Sequence, residues 1–487
     1  MSTPVTQFFN DNIEMTSAVL ITSDGSSQDI RYLIADLSIK ENIFTSCITG
    51  TISVLDGLGL VDKLPIVGEE FFAIRYRTPG EFGGKPSKFV DKVFAVYSIT
   101  NRQKQDDKME FYNLNMISLE GMIDTLTTVN TNYVGLTYQE IAKKVFNDFI
   151  SESGLKGGVS NGRYIEIAKK RKSINVEKSS GLQSLTTTGD SPFQIINSCA
   201  KLAQSDDYPD ADFVFYEDRD KFNFVTISSL LEAEPNKLFE YAMGDQGIEE
   251  NRVGKFRYDL VRELDFNKSP DALKSSHTGM YGNKIHAFDP ILKKRSTINN
   301  NYLNIQREKK IPSFTTLDKH NVVSETSIYR NDIGSSHSQY YINNIFDKNY
   351  EEVDYMKDRI RQDTDRHIFH QDNSFRSKGR TTMKFSLLNN YTFIIAVGGN
   401  SNLRVGEVLN IDLPLASDIE EDKKRGLHSH LFGNGKRNKF LVTGLTHNFI
   451  GTAGRYFTYI TVAKDSYFSN INTNYTGKLI KDAATFT

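Results

Sequence analysis

Four histidines stand at spacings that could face a single ion. His367 and His370 lie one helical turn apart, and His428-Ser-His430 alternates as in a strand beside Gly426, Gly433 and Gly435. A structural zinc takes four ligands, usually Cys and His, and neither pair has a third or fourth close by. His367 and His370 therefore read as solvated helix residues, and His428 and His430 as a polar loop tip. Lys169-Lys-Arg-Lys172 could contact phosphate, but no aromatic platform is interleaved with it, so a solvated loop is the simpler reading. No phosphate-cradling Gly motif, nucleophile elbow or His-Glu-x-x-His helix is present. With 61 acidic residues, carboxylate pairs arise by chance, and none stands out for acid–base work. Cys47 and Cys199 cannot build a disulfide framework and read as small core residues. The expectation is no catalytic residue, no cofactor-binding residue and no metal ligand.

The elements around these residues belong to a large soluble chain. Its 487 residues correspond to about three or four domains. Hydrophobic residues make up 38% and charged residues 25%, the balance of a globular protein. The formal net charge of -2 excludes a generally basic nucleic-acid binder and a strongly acidic tail protein. The most apolar stretch, Phe393 to Val397, is far shorter than the roughly 20 residues of a membrane helix. The N-terminus lacks the basic residues and apolar core of a signal peptide, so neither secretion by the usual route nor direct membrane insertion is expected. The aromatics are 32 Phe and 23 Tyr with no Trp, which points to packing and contact surfaces.

Residues 1–17 read as a polar arm. From Ala18 the pattern is strand-like, and Phe44, Ile48, Ile52 and Val54 alternate with polar or small residues. Runs at Phe71 to Tyr76 and Phe89 to Thr100 follow, then a polar turn at 101–108 and a further run at Met109 to Leu119. This spacing predicts an antiparallel barrel or sandwich over 18–120. The period then changes. Thr137-Tyr-Gln-Glu140 fits a capping box, and Ser191-Pro192 opens a second helix through Ala203. Phe213 to Tyr216 and Phe222 to Ile227 flank a hairpin turn at Glu217-Asp-Arg-Asp220, so 121–245 reads as an α+β insertion. Residues 246–377 read as a mixed α+β connection, with strands at Val261 to Phe266 and Lys284 to Phe288 and a helix around Tyr355, Met356 and Ile360. Met383, Phe385 and Leu387 alternate, and with Tyr391 to Val397 they open a second β domain over 378–470. Residues 471–487 form a tail. The fold class is α+β and β-dominated: two related antiparallel β-barrel domains with α+β insertions between them.

The two β domains resemble each other. Val67-Gly-Glu69 precedes Phe71-Phe-Ala-Ile74, and Val405-Gly-Glu407 precedes Val408-Leu-Asn-Ile411. Phe94-Ala-Val-Tyr-Ser-Ile-Thr100 aligns with Phe440-Leu-Val-Thr-Gly-Leu-Thr446, and each copy ends in an aromatic strand, Glu110 to Leu114 and Arg455 to Tyr459. The second copy carries a longer loop, Ser417 to Lys439. Gly in each Val-Gly-Glu suits a tight turn with positive φ.

This order of parts resembles the central hub protein of contractile phage tail baseplates, and is similar to the hub-like first part of type VI secretion spike proteins. The resemblance runs from about Ala18 to Tyr467 and is weakest over 246–375. It implies two tail-tube-like barrels per chain and a homotrimer with a pseudo-six-fold ring. Such a ring adapts a hexameric tail tube to a trimeric central spike. It implies as partners the spike, the tube or tube-initiator protein, other baseplate (wedge) proteins and the tape measure protein. DNA would pass transiently without specific binding, the protein would reside in the virion tail baseplate after assembly in the host cytoplasm, and it would not be an enzyme. With no lysozyme or β-helical segment after the second β domain, the spike would be a separate chain. A β-rich glycan-binding or glycan-hydrolysing protein stays open as the alternative, since glycosidases need only two carboxyl groups. The lack of Trp platforms weighs against it.

Overall fold

The computed structural model describes residues 13–151, 172–241, 260–301, 338–343, 374–412 and 439–465, apart from short breaks inside those spans. His367, His370, His428 and His430, the helix expected around Tyr355, and the loop from Ser417 lie outside the described residues.

The N-terminal half contributes β1 (Glu14–Ile21), a short β2 (Ser27–Asp29), β3 (Ile34–Asn42), β4 (Thr49–Asp56), β5 (Phe71–Arg77), β6 (Val90–Asp106) and β7 (Met109–Ser118). Alternation places these strands: in β4, Gly50, Ile52, Val54 and Asp56 turn inward while Thr49, Thr51 and Ser53 turn outward. Strand β1 begins inside the segment read as an arm, where Glu14 takes the Arg77 guanidinium at 2.6 Å. Phe44 and Thr45 sit in a turn, where the Asn42 side chain accepts from the Phe44 amide at 2.8 Å. Residues 101–106, polar enough to read as a turn, continue β6 instead, because the ladder to β7 holds them.

The C-terminal half contributes β10 (Leu238–Tyr241), β11 (Leu260–Lys268), β15 (Thr392–Gly398), β16 (Val408–Asp412), β17 (Lys439–Ile450) and β18 (Arg455–Ala463). Two of these strands thus come from residues 238–268, upstream of the span 378–470. The N-terminal strands lie in the order β1-β5-β6-β7-β4-β3, and the C-terminal ones in the order β10-β16-β17-β18-β15-β11. Taken strand by strand, these are the same order. The registers repeat too. Leu441 and Val442 face Ala463 and Val462 as Ala95 and Val96 face Ile117 and Met116, an offset of 346 residues on both strands. A bulge at Tyr97 recurs at Thr443. A second bulge, between Ile34 and Asp36 against β4, recurs between Val261 and Glu263 against β15. Bulges reset a strand's register and faces, so two at matched positions mark one design used twice.

The halves differ in closure. Strand β10 runs parallel to both β11 and β16, and the C-terminal strands close into a ring of mixed sense. In the N-terminal half β1 runs antiparallel to β5, and β3 pairs not with β1 but with β17. One sheet therefore crosses the seam between the halves. Gly68 and Gly406 both adopt positive φ, +95° and +81°, as the turn requires. The pairing aligns Glu70, not Glu69, with Glu407: their carbonyls accept from Val96 and Val442 at 2.8 and 2.9 Å.

The insertion packs α1 (Leu119–Leu126), α2 (Tyr138–Val145) and α3 (Pro192–Leu202) on a hairpin, β8 (Phe213–Glu217) and β9 (Phe222–Thr226). Both helix starts carry the expected capping boxes, at Thr137/Glu140 and Ser191/Gln194. The hairpin is buried on both faces, with Phe193, Phe213, Phe215, Phe222 and Phe224 in one core. A small sheet of β12 (Gly282–Asp289), β13 (Lys294–Asn301) and β14 (Gln339–Asn343) packs against α4 (Ser374–Asn390). The alternation of Met383, Phe385 and Leu387 predicts a strand, yet the chain there is helical. Burial falls on Met383, Lys384, Leu387 and Leu388, a recurrence of four that the alternating reading left out. Among the described residues no helix is long and apolar enough to cross a membrane.

Candidate functional site

The seam between the halves holds a cluster of buried charges. Strand β17 lies beside β3 with Gly444 opposite Asn42 and Ile450 opposite Asp36. Past the bulge, β17 and β18 extend into the N-terminal half. There Phe449 stacks on Tyr456 at 4.4 Å, and Tyr76 meets Phe449 edge-on at 4.9 Å. Close approach requires glycine at two points: a Cβ on Gly399 would sit 2.0 Å from the Tyr456 ring, and one on Gly451 2.0 Å from the Ile34 carbonyl oxygen.

The tip of the β8–β9 hairpin plugs this seam. Glu217, fully buried, accepts from the Ile48 amide at 2.8 Å, and its other oxygen takes the Lys172 ammonium. Arg219 donates to the Ser401 carbonyl at 2.6 Å, and the Arg219 carbonyl accepts from Lys92 Nζ at 2.8 Å. Asp220 pairs with Arg219 and with Arg404. One turn thus grips both halves. Burial alone would lower the Lys172 ammonium, but the Glu217 carboxylate beside it holds its pKa up. Burial pushes Glu41 up, against the pull of Lys92 and Lys172, and one of its oxygens has no hydrogen-bond partner among the described residues. Burial lowers Lys92, with Lys172 acting in the same direction. His447 lies on β17, hydrogen-bonded to Tyr456 Oη at 2.8 Å. Burial, with the nearby Arg219 and Lys92 charges, lowers its pKa to about 3, so the imidazole stays neutral.

Chemically the cluster fastens three segments of the chain to one another. Lys172, read as part of a solvated basic loop, is instead the partner of Glu217; Lys169, Lys170 and Arg171 lie outside the described residues. Cys199 is buried and Cys47 half-buried, and burial pushes the Cys199 thiol up to about 12. Among the described residues no group of three or more His, Cys, Asp or Glu is placed to hold a metal ion. Sequence reasoning missed Glu41, Lys92, Glu217 and Arg219 because no local spacing links them.

No family model matches the chain, and no curated protein matches it in sequence. Solved structures similar to it include phage tail proteins and type VI secretion components. The tail protein from Neisseria meningitidis MC58 shares 9% identity at a TM-score of 0.49, over 93% of this chain and 98% of that one. The 43 kDa tail protein of prophage MuSo2 from Shewanella oneidensis shares 11% at 0.47, over 92% and 98%. An E. coli component of the type VI secretion system shares 9% at 0.42, over 92% and 76%.

Proposed function

We propose that this chain is the central hub of a contractile-tail baseplate, a structural virion protein without catalytic activity. One observation carries the reading. The two halves repeat the same strand order with two bulges at matched positions, so three copies supply six similar β domains. Such a ring offers near-six-fold symmetry to a hexameric tube and three-fold symmetry to a trimeric spike. In this reading the barrel domains are 18–120 and 378–470, the second completed by β10 and β11. The insertion 121–245 and the connection 246–377 lie between them, and wedge proteins meet the periphery. The tape measure protein and then DNA occupy the passage, and near-neutral overall charge keeps phosphate contacts few. Native mass measurement of the chain, alone and with its trimeric spike, tests this. A homotrimer in either condition is expected; a monomer in both overturns it.

A further inference from the structure

Two strand edges that are paired on one side of the repeat have no neighbouring strand among the described residues on the other. After its bulge at Thr443, β17 pairs through its outer edge with β3. The counterpart of β17 is β6, which continues past its own bulge at Tyr97 to Asp106. Among the described residues no strand lies along that outer edge of β6. The counterpart of β3 is β11. Its inner edge pairs with β15 from Val261 to Lys268, but its outer edge meets β10 only at Leu260 and Val261. From Glu263 onward no described strand lies beside it. An exposed edge of this length is a template for another chain.

We infer that copies of this chain join head to tail by strand addition, the outer edge of β6 beyond Tyr97 pairing antiparallel with the outer edge of β11 of the next copy. The seam inside the chain supplies the template. Asn448 faces Phe457 and Ser38. Gln103 holds the place of Asn448, facing Phe111, and Asp265 holds the place of Ser38. The transposed register therefore sets Gln103 opposite Asp265 of the next copy. Lys104 then falls opposite Leu264, while Gln103 shares a sheet face with Asp265.

The two seams differ in chemistry. Inside the chain, Phe449 and Tyr456 face each other and sink into the N-terminal core. Their places on β6 and β7 are held by Lys104 and Glu110. Glu110 takes the Arg102 guanidinium at 2.9 Å, whereas Lys104 makes no ion pair among the described residues. Glu263 and Asp265 are exposed on β11 and likewise make none. At this register the seam within a chain is apolar and the seam between chains is polar.

The inference rests on the ring reading only for the number of copies. Three variants test it by native mass and sedimentation. Gln103→Glu sets a like charge opposite Asp265 and should weaken association about tenfold at low salt, and adding Asp265→Lys to it should restore assembly. Rising salt should relieve the Gln103→Glu defect. Gln103→Cys with Asp265→Cys should give covalent multimers on oxidation, and neither substitution alone should. An oligomer that ignores Gln103→Glu and never cross-links through this pair overturns the inference while leaving the ring reading standing. A chain that stays monomeric alone and with its spike overturns both.

Discussion

A histidine held neutral inside a fold makes stability depend on pH with a definite sign. The folded value for His447 is about 3, against an ordinary value near 6.5, so between these the unfolded chain binds a proton that the native one refuses. Stability is then full above about pH 6.5 and falls as pH drops toward 3, by about 1.4 kcal/mol per unit for this one site. Glu41, pushed up by burial, has the opposite sign: its contribution is lost as pH rises through its folded value. A comparison with His447→Gln isolates the histidine, since Glu41 is common to both proteins. Urea unfolding between pH 4 and 7 should show a shallower acid-side slope in the variant; an unchanged slope would mean the imidazole does not titrate this way. None of this was legible in the sequence. Glu41, Lys92, Lys172, Glu217 and His447 are scattered along the chain, and only the fold brings them together. The same distance hides the role of Lys172, whose local text is a run of basic residues.

At the scale of elements, local chemistry spoke clearly where it was local. Both capping boxes form because each needs only four consecutive residues. The second box is also held from outside: the Asp124 carboxylate accepts from the Phe193 amide at 2.6 Å and from Ser191 Oγ at 3.1 Å, tying α1 to the start of α3. Asp124→Ala should cost about 1–3 kcal/mol, because it orphans a helix-start amide and removes a negative charge from the positive end of the helix. Thermal melts would show this as a drop of several degrees, and Asp124→Asn should recover part of it. Where an element depends on a distant partner, the text misled. Residues 101–106 carry only polar side chains, yet β7 keeps them extended. Around Met383 the helix asserts itself through Leu388, buried four residues beyond the buried Lys384. The parallel β10 left no trace, since strand sense is set by how the chain returns and not by its side chains.

At the scale of the whole molecule, the repeated Val-Gly-Glu and Phe-x-Val pieces foretold two alike halves, and the repeat of bulges bears out that likeness strand by strand. What the pieces could not foretell is that the halves share a core. Phe449 and Tyr456 belong by sequence to the C-terminal half but pack among Leu37, Tyr76 and Tyr112 of the N-terminal one. Strand β17 completes the sheet of one half through its first residues and of the other through its last. Neither half can therefore unfold without stripping an edge and opening the core of its neighbour. The isolated chain should melt in one cooperative step spanning both halves, with calorimetric and van't Hoff enthalpies in agreement over that step. Phe449→Ala removes the ring that bridges them. It should cost about 3–5 kcal/mol, as large aromatic truncations in cores do. The loss should fall on the coupling as much as on the core, so the single endotherm should broaden or divide into two. If Phe449→Ala lowers the melting temperature while the transition stays as sharp as before, the fastening between the halves lies elsewhere, in the grip of Arg219 and Glu217 on the seam, and Arg219→Ala should then be the substitution that splits the melt.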